Sequence, residues 1–183
     1  ETFGYRIAQM PISINWKYLV LADGAQPSKT TDFWDQPTDS AYGYVRDSRL
    51  RVKGVTERQV QVIWLKTVPT VQGPAALPSP TADAFVHLAG LGRVLRALRV
   101  RYPNLQLVFL SNRIYGGYAT VKLLERGEPW AYEVSYGVKW AIAAQITQAA
   151  GGGIDPVAGD LAYPGVAPWI AWAPDLWANG PTR

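Results

Sequence analysis

Apolar residues occur along the chain both in short continuous runs and at helical spacing. The runs at 19–21, 60–65 and 105–110 are bounded by Gly, Pro or polar residues, which predicts three buried strands. Helical spacing predicts a helix at 84–98 behind an N-cap at Thr81, and a second at 133–148. Residues 41–54 predict a further helix that ends at Gly54. After three glycines at 151–153 we expect an irregular, Trp-rich tail.

The alternation of strands and helices predicts an α/β domain with a mainly parallel sheet and right-handed crossovers. The 183 residues are enough for one domain over 1–183, and neither repeats nor a second domain are visible. Ligands of such sheets bind beyond the carboxyl ends of the strands. The loops at 23–26, 66–69 and 111–117 are therefore expected to meet on one rim.

Composition narrows the classes of function. Hydrophobic residues make up 48% of the chain and charged residues 17%, which is typical of a folded domain. The net charge of +4 comes mainly from basic residues on predicted helix faces without interleaved aromatic rings, so we expect no nucleic-acid partner. A chain with no Cys and one His holds neither a thiolate nor an all-His metal site, and we expect no metal and no cofactor.

The residues offer little for catalysis. His87 is the single histidine, and Asp83 lies four residues before it on the same predicted helix. This spacing favours a structural or surface role for His87. The chain has no Gly-x-Ser-x-Gly motif, and its acidic residues are scattered, so neither a nucleophile elbow nor a pair of catalytic carboxylates is predicted.

Four blocks carry a resemblance to a known family: "VQVIWLK", "RYPNLQLVFLSNRIYGGYA", "EPWAYEVSYGVKWAIAAQI" and "APWIAWAPDLWANG". Together they resemble a bacterial branch of the SGNH (GDSL-like) hydrolase superfamily over most of residues 17–180. The resemblance implies a flavodoxin-like, three-layer α/β sandwich and a periplasmic or extracellular location. It also implies an esterase triad, with Ser after an N-terminal strand and Asp-x-x-His near the C-terminus.

The match is poor at the catalytic positions. Gly24 is similar to the family's oxyanion glycine at the end of a strand, but Thr67-Val68-Pro69 stands where the family has an oxyanion Asn. The Ser block and the Asp-x-x-His block do not occur in this chain. We therefore favour a non-catalytic domain that serves as a structural or binding subunit of a larger protein assembly. The alternative is a secreted serine esterase acting on acylated carbohydrate, with those blocks outside this chain.

The residues of the predicted rim leave two interpretations open. In one, Arg113 and Glu133 form a charge pair that fixes the glycine-containing loop. In the other, polar and aromatic side chains of the loop line a pocket for an anionic or sugar-like ligand. The candidate binding residues are Gly24, Gln26, Asn112, Arg113, Tyr115, Gly116, Gly117 and Glu133.

The tail contains Trp169, Trp172 and Trp177. These rings either pack across the sheet as a strap or stay partly exposed. Exposed Trp is typical of protein interfaces and of membrane headgroup regions. We expect protein subunits as partners, with the membrane surface as a further candidate.

Overall fold

The computed structural model describes residues 15–70, 75–117 and 127–174. Three parallel strands form one sheet in the order β1-β2-β3. They are β1 (Val62–Leu65), β2 (Leu107–Leu110) and β3 (Trp169–Trp172). The predicted strands at 60–65 and 105–110 are thus confirmed, and the protein has an α/β fold.

Three helices accompany the sheet. They are α1 (Ser40–Val45), α2 (Asp83–Arg101) and α3 (Trp130–Ala149). A wider turn at Arg46–Leu50 and a 3-10 turn at Arg51–Lys53 prolong α1, and further 3-10 turns lie at Thr31–Phe33 and Glu57–Gln59. The chain leaves α1 at Gly54, whose φ of 70° is in the left-handed region that glycine tolerates best. The helices predicted at 84–98 and 133–148 are confirmed, with ends that differ by a few residues, whereas the helix predicted over 41–54 is α-helical only to Val45 and continues as the wider turn and the 3-10 turn.

Two sequence predictions are wrong. Residues 19–21 form no strand, and Leu19 and Val20 are 43% and 49% exposed, because nothing in the described part of the chain pairs with this short apolar run. The tail is not irregular throughout, since Trp169–Trp172 is β3. Its backbone occupies the free side of β2, which satisfies hydrogen-bonding groups that would otherwise be buried without partners.

Helices α2 and α3 lie together on one face of the sheet. The chain steps from β1 to β2 and from β2 to β3 in the same direction, and right-handed crossovers then place both connecting helices on the same side. The core confirms this arrangement, because Leu95 of α2 and Val138 of α3 belong to one buried cluster with Val108 and Ile170 of the sheet. Tyr42 extends that cluster to α1.

Two glycines allow α2 and α3 to pack closely against their neighbours. A Cβ on Gly92 of α2 would lie 1.9 Å from the carbonyl oxygen of Ala158. A Cβ on Gly137 of α3 would lie 2.9 Å from the Cβ of His87. Neither neighbour can move away by a side-chain rotation alone, so both positions require glycine.

We predict that Gly92→Ala lowers the free energy of unfolding by about 3 kcal/mol, the cost of overpacking against a fixed backbone. Gly43 of α1 provides the control, because a Cβ there meets nothing within 4 Å. Gly43→Ala should raise stability by about 0.5 kcal/mol through helix propensity. Urea unfolding followed by circular dichroism measures both, and equal stability of the two variants would contradict the contact.

A buried amide connects β3 to α3. Gln145 is 1% exposed, and its Nε2 donates to the carbonyl oxygens of Leu161 (3.0 Å) and Pro168 (2.8 Å). Its Oε1 accepts a hydrogen bond from the N–H of Ile170 at 2.8 Å. One side chain therefore satisfies three backbone groups next to β3.

Replacing this amide tests how β3 is held. Gln145→Leu keeps the volume but leaves three buried backbone groups without partners, so we expect a loss of about 4 kcal/mol in unfolding free energy. The control is Gln148→Leu, because Gln148 lies one turn later in α3 and bonds to Asp160 and Leu161 in a half-buried position. Its loss should be about 1 kcal/mol. Equal losses in chemical denaturation would show that Gln145 has no special role.

Candidate functional site

Loops from two strands meet at the carboxyl end of the sheet. The N–H of Ser111 donates to the carbonyl oxygen of Leu65 at 2.9 Å, and the indole N–H of Trp64 donates to the Ser111 hydroxyl. The N–H of Thr31 donates to the carbonyl oxygen of Val68 at 2.9 Å. We call residues 66–70 and 111–117 the strand-end rim.

Gly24 and Gln26 lie against α1 and follow no strand. A Cβ on Gly24 would be 3.5 Å from a methyl group of Val45, and the Gln26 amide donates to the carbonyl oxygen of Ala41 at 3.0 Å. The structure therefore does not place Gly24 at the end of a strand, because the expected strand before it does not form. The segment reaches the strand-end rim further along, at Thr31.

Two cations and an aromatic ring occupy the rim. The guanidinium carbon of Arg113 lies 5.2 Å from the ring centroid of Trp130, the first residue of α3. Partial burial, and then the neighbouring Arg113 guanidinium, lower the pKa of the Lys66 amine from its usual value. Asn112, which directly precedes Arg113 in the sequence, is half-buried. The side chains of Lys66 and Arg113 thus interact electrostatically where β1 and β2 end.

A carboxylate fixes the glycine-containing end of the rim. Glu128 accepts hydrogen bonds from the N–H of Gly116 at 2.7 Å and from the N–H of Tyr132 at 3.0 Å. A Cβ on Gly117 would lie 2.2 Å from the hydroxyl oxygen of Tyr115, so the tyrosine covers this glycine closely. The hydrogen bonds of Glu128 hold the loop against the start of α3.

Glu133 has a structural position. It is 2% exposed, and its Oε1 accepts a hydrogen bond from the N–H of Leu77 at 2.8 Å. The expected charge pair of Arg113 and Glu133 is not among the ion pairs of the described residues, and the prediction is wrong. The reason is that Glu133 turns toward the loop before α2 while Arg113 lies over Trp130. Sequence reasoning did not identify Glu128, the carboxylate that does hold this loop.

His87 is enclosed between α2 and α3. It is 0% exposed, and its Nδ1 lies 2.9 Å from the carbonyl oxygen of Val134. Burial lowers the pKa of His87 to about 4, which the hydrogen bonds to the backbone of Val134 and Thr67 only partly oppose. The role of His87 is therefore structural. The sequence allowed either a structural or a surface position, and the side chain lies in the interior.

The buried imidazole predicts a pH dependence of stability. Its folded pKa of about 4 is below the ordinary 6.5, so the unfolded chain binds more protons between these values and stability falls as pH falls through this window. The loss between pH 7 and pH 4 should be roughly 3 kcal/mol larger than in the variant His87→Gln.

Two measurements check the titration of His87. Because the chain has one histidine, its Cε1–H resonance in NMR spectra is unambiguous and should titrate near pH 4. Urea unfolding at a series of pH values should show the difference between the native chain and His87→Gln. A titration near pH 6.5, or parallel pH profiles for the two proteins, would contradict the burial effect.

The face of the sheet opposite the helices is apolar and partly exposed. Alternate residues of the three strands point to this face, and the strand register aligns them in two rows across the sheet. We call it the open sheet face, and its residues are Val62, Trp64, Leu107, Phe109, Trp169 and Ala171. Val62 is 55% exposed and Trp64 is 44% exposed, and no helix of the described residues covers them.

The sequence contained a signal for this surface. Residues 62–65 and 107–110 are apolar at consecutive positions, as in strands that are covered on both faces. The helices of the described residues cover one face. Trp169 is half-buried on the open sheet face, where its ring centroid lies 5.8 Å from that of Tyr163. Trp172 is 46% exposed at the end of β3, and Trp177 lies outside the described residues.

In the described ranges, no cluster of His, Cys, Asp or Glu could hold a metal ion. No helix in those same ranges is long and apolar enough to cross a membrane. Comparison with known families, with curated proteins and with solved structures gave no match to this chain. The geometry of the strand-end rim and of the open sheet face is therefore the basis for a functional conclusion.

Proposed function

We propose that this chain is a non-catalytic SGNH-like domain that acts as a binding or structural subunit of a larger protein assembly. The observation that carries the proposal is the open sheet face, where Val62 and Trp64 of the edge strand β1 expose apolar surface. Parallel sheets are normally covered on both faces. A partner that covers this face would gain the hydrophobic energy that the described residues leave unused.

The proposed finer architecture follows from the same observation. One layer of helices and one sheet are two of the three layers of a flavodoxin-like sandwich. In the proposed assembly the third layer comes from a partner subunit. The resemblance to the SGNH superfamily supports this architecture and, with it, a periplasmic or extracellular site of action.

The state of His87 supports a non-catalytic role. A general base must reach the proton of its nucleophile, whereas the imidazole of His87 is fully buried and one of its ring nitrogens already faces a backbone carbonyl. Thr67-Val68-Pro69 also lacks the amide side chain that the family uses to stabilise an oxyanion. The residues of this chain thus provide no histidine for acyl transfer.

Hydrolysis of p-nitrophenyl acetate tests the absence of catalysis. We expect the rate with this chain to be insensitive to a serine-directed fluorophosphonate, and intact mass spectrometry to show no phosphonyl adduct. His87→Gln should hydrolyse the ester at the same rate as the native chain. A known serine esterase, treated in parallel, controls for the quality of both reagents.

One result would overturn the proposal. Hydrolysis that the fluorophosphonate abolishes, together with a stoichiometric adduct on a serine, would assign the chain to the competing function of a secreted serine esterase. That outcome is independent of whether the open sheet face binds a partner.

A further inference from the structure

We propose that the open sheet face binds an amphipathic helix of a partner protein, which runs antiparallel to the strands and has Asp or Glu in its first turn. The inference rests on the proposed function and names the partner's chemistry. In it, the apolar rows of the sheet provide the affinity and the Lys66 amine determines the direction of the helix.

The dimensions of the face fit one helix. Four residues of strand span ~13 Å, and the two outer strands lie ~10 Å apart across β2. A helix is ~10 Å wide with its side chains and packs ~10 Å from a sheet. Trp64 and Phe109 face each other in adjacent strands at the centre, and Val62 and Trp169 flank them. Such a surface accepts the apolar stripe of a single amphipathic helix.

Charge gives the helix its direction. Lys66 directly follows β1, in line with Val62 and Trp64 by strand alternation, and Arg113 lies near enough to affect its pKa. Lys66 takes part in no ion pair of the described residues. Acidic side chains in the first turn of a helix also interact favourably with the helix's own dipole. A first turn with Asp or Glu next to Lys66 therefore satisfies both requirements.

On the face of the sheet that α2 and α3 cover, both helices have the direction and the acidic first turn that we propose for the partner helix. Both α2 and α3 run antiparallel to the strands and begin near the carboxyl end of the sheet. Each has an acidic residue in its first turn, Asp83 in α2 and Glu133 in α3. The partner helix would repeat this arrangement on the opposite face, with Lys66 as its nearest cation.

Fluorescence anisotropy of labelled peptides tests the inference on the 183-residue chain. The probe is a 16-residue helical peptide with Leu at helical spacing and Glu at its first three positions. A second peptide has Lys at those three positions, and a third has the same composition as the first in scrambled order. We expect the Glu peptide to bind, the Lys peptide to bind about threefold more weakly, and the scrambled peptide not to bind.

Two pairs of variants locate the site. Val62→Asp puts a charge on the open sheet face and should weaken binding of the Glu peptide about tenfold. Val100→Asp is the control, because Val100 is 69% exposed on α2, on the other side of the sheet. Lys66→Glu should invert the preference between the two peptides, whereas Lys53→Glu, with the same change in net charge after α1, should leave it unchanged.

The outcomes separate this inference from the proposed function. Thermal unfolding establishes that each variant is folded. Binding that is insensitive to Val62→Asp, or no preference between the Glu and Lys peptides, would refute the helix site while the ester assay leaves the non-catalytic function intact. A native mass of twice 20.1 kDa that Val62→Asp reduces to one chain would instead show that a second copy occupies the face.

Discussion

The handedness of the two crossovers determines which face of the sheet the helices cover. Because β1, β2 and β3 follow one another in sheet order, right-handed connections place α2 and α3 on a single face. The helices can then pack against each other as well as on the sheet, and one core joins them. The same constraint leaves the opposite face without a helix from these two crossovers. The shared helix core and the proposed binding surface on the opposite face thus both follow from the order of the strands.

The packing of α2 on α3 also decides the chemistry of the single histidine. Gly137 has no side chain, and this brings α3 close enough for the ring of His87 to contact its backbone. Close packing excludes water, so the charged imidazolium is disfavoured. A residue type that often performs acid–base catalysis here stabilises a helix contact. The fold therefore uses His87 as a neutral hydrogen-bonding group, not as a base.

The sequence predicted the elements whose signals are local. Helical spacing located α2 and α3, and continuous apolar runs located β1 and β2. The run at 19–21 had the same local signal but no pairing partner, and β3 had a weak signal, because it depends on β2 and on Gln145. In the candidate site, the hydrogen bond from the N–H of Gly116 to Glu128 likewise joins residues that are not neighbours in the sequence. The spacing of apolar residues predicts which side chains are buried, but it does not predict which strands pair.

Charged residues at the carboxyl end of the sheet stabilise its loops. Glu128 and Glu133 use their carboxylates on backbone N–H groups, and these hydrogen bonds fix the loops around the start of α3. At the same end of the sheet, partial burial and then the Arg113 guanidinium lower the pKa of the Lys66 amine. The lowered pKa means that the charged Lys66 amine is disfavoured, and an anionic group next to it would oppose that effect. The acidic first turn of the proposed partner helix would place such a group beside Lys66.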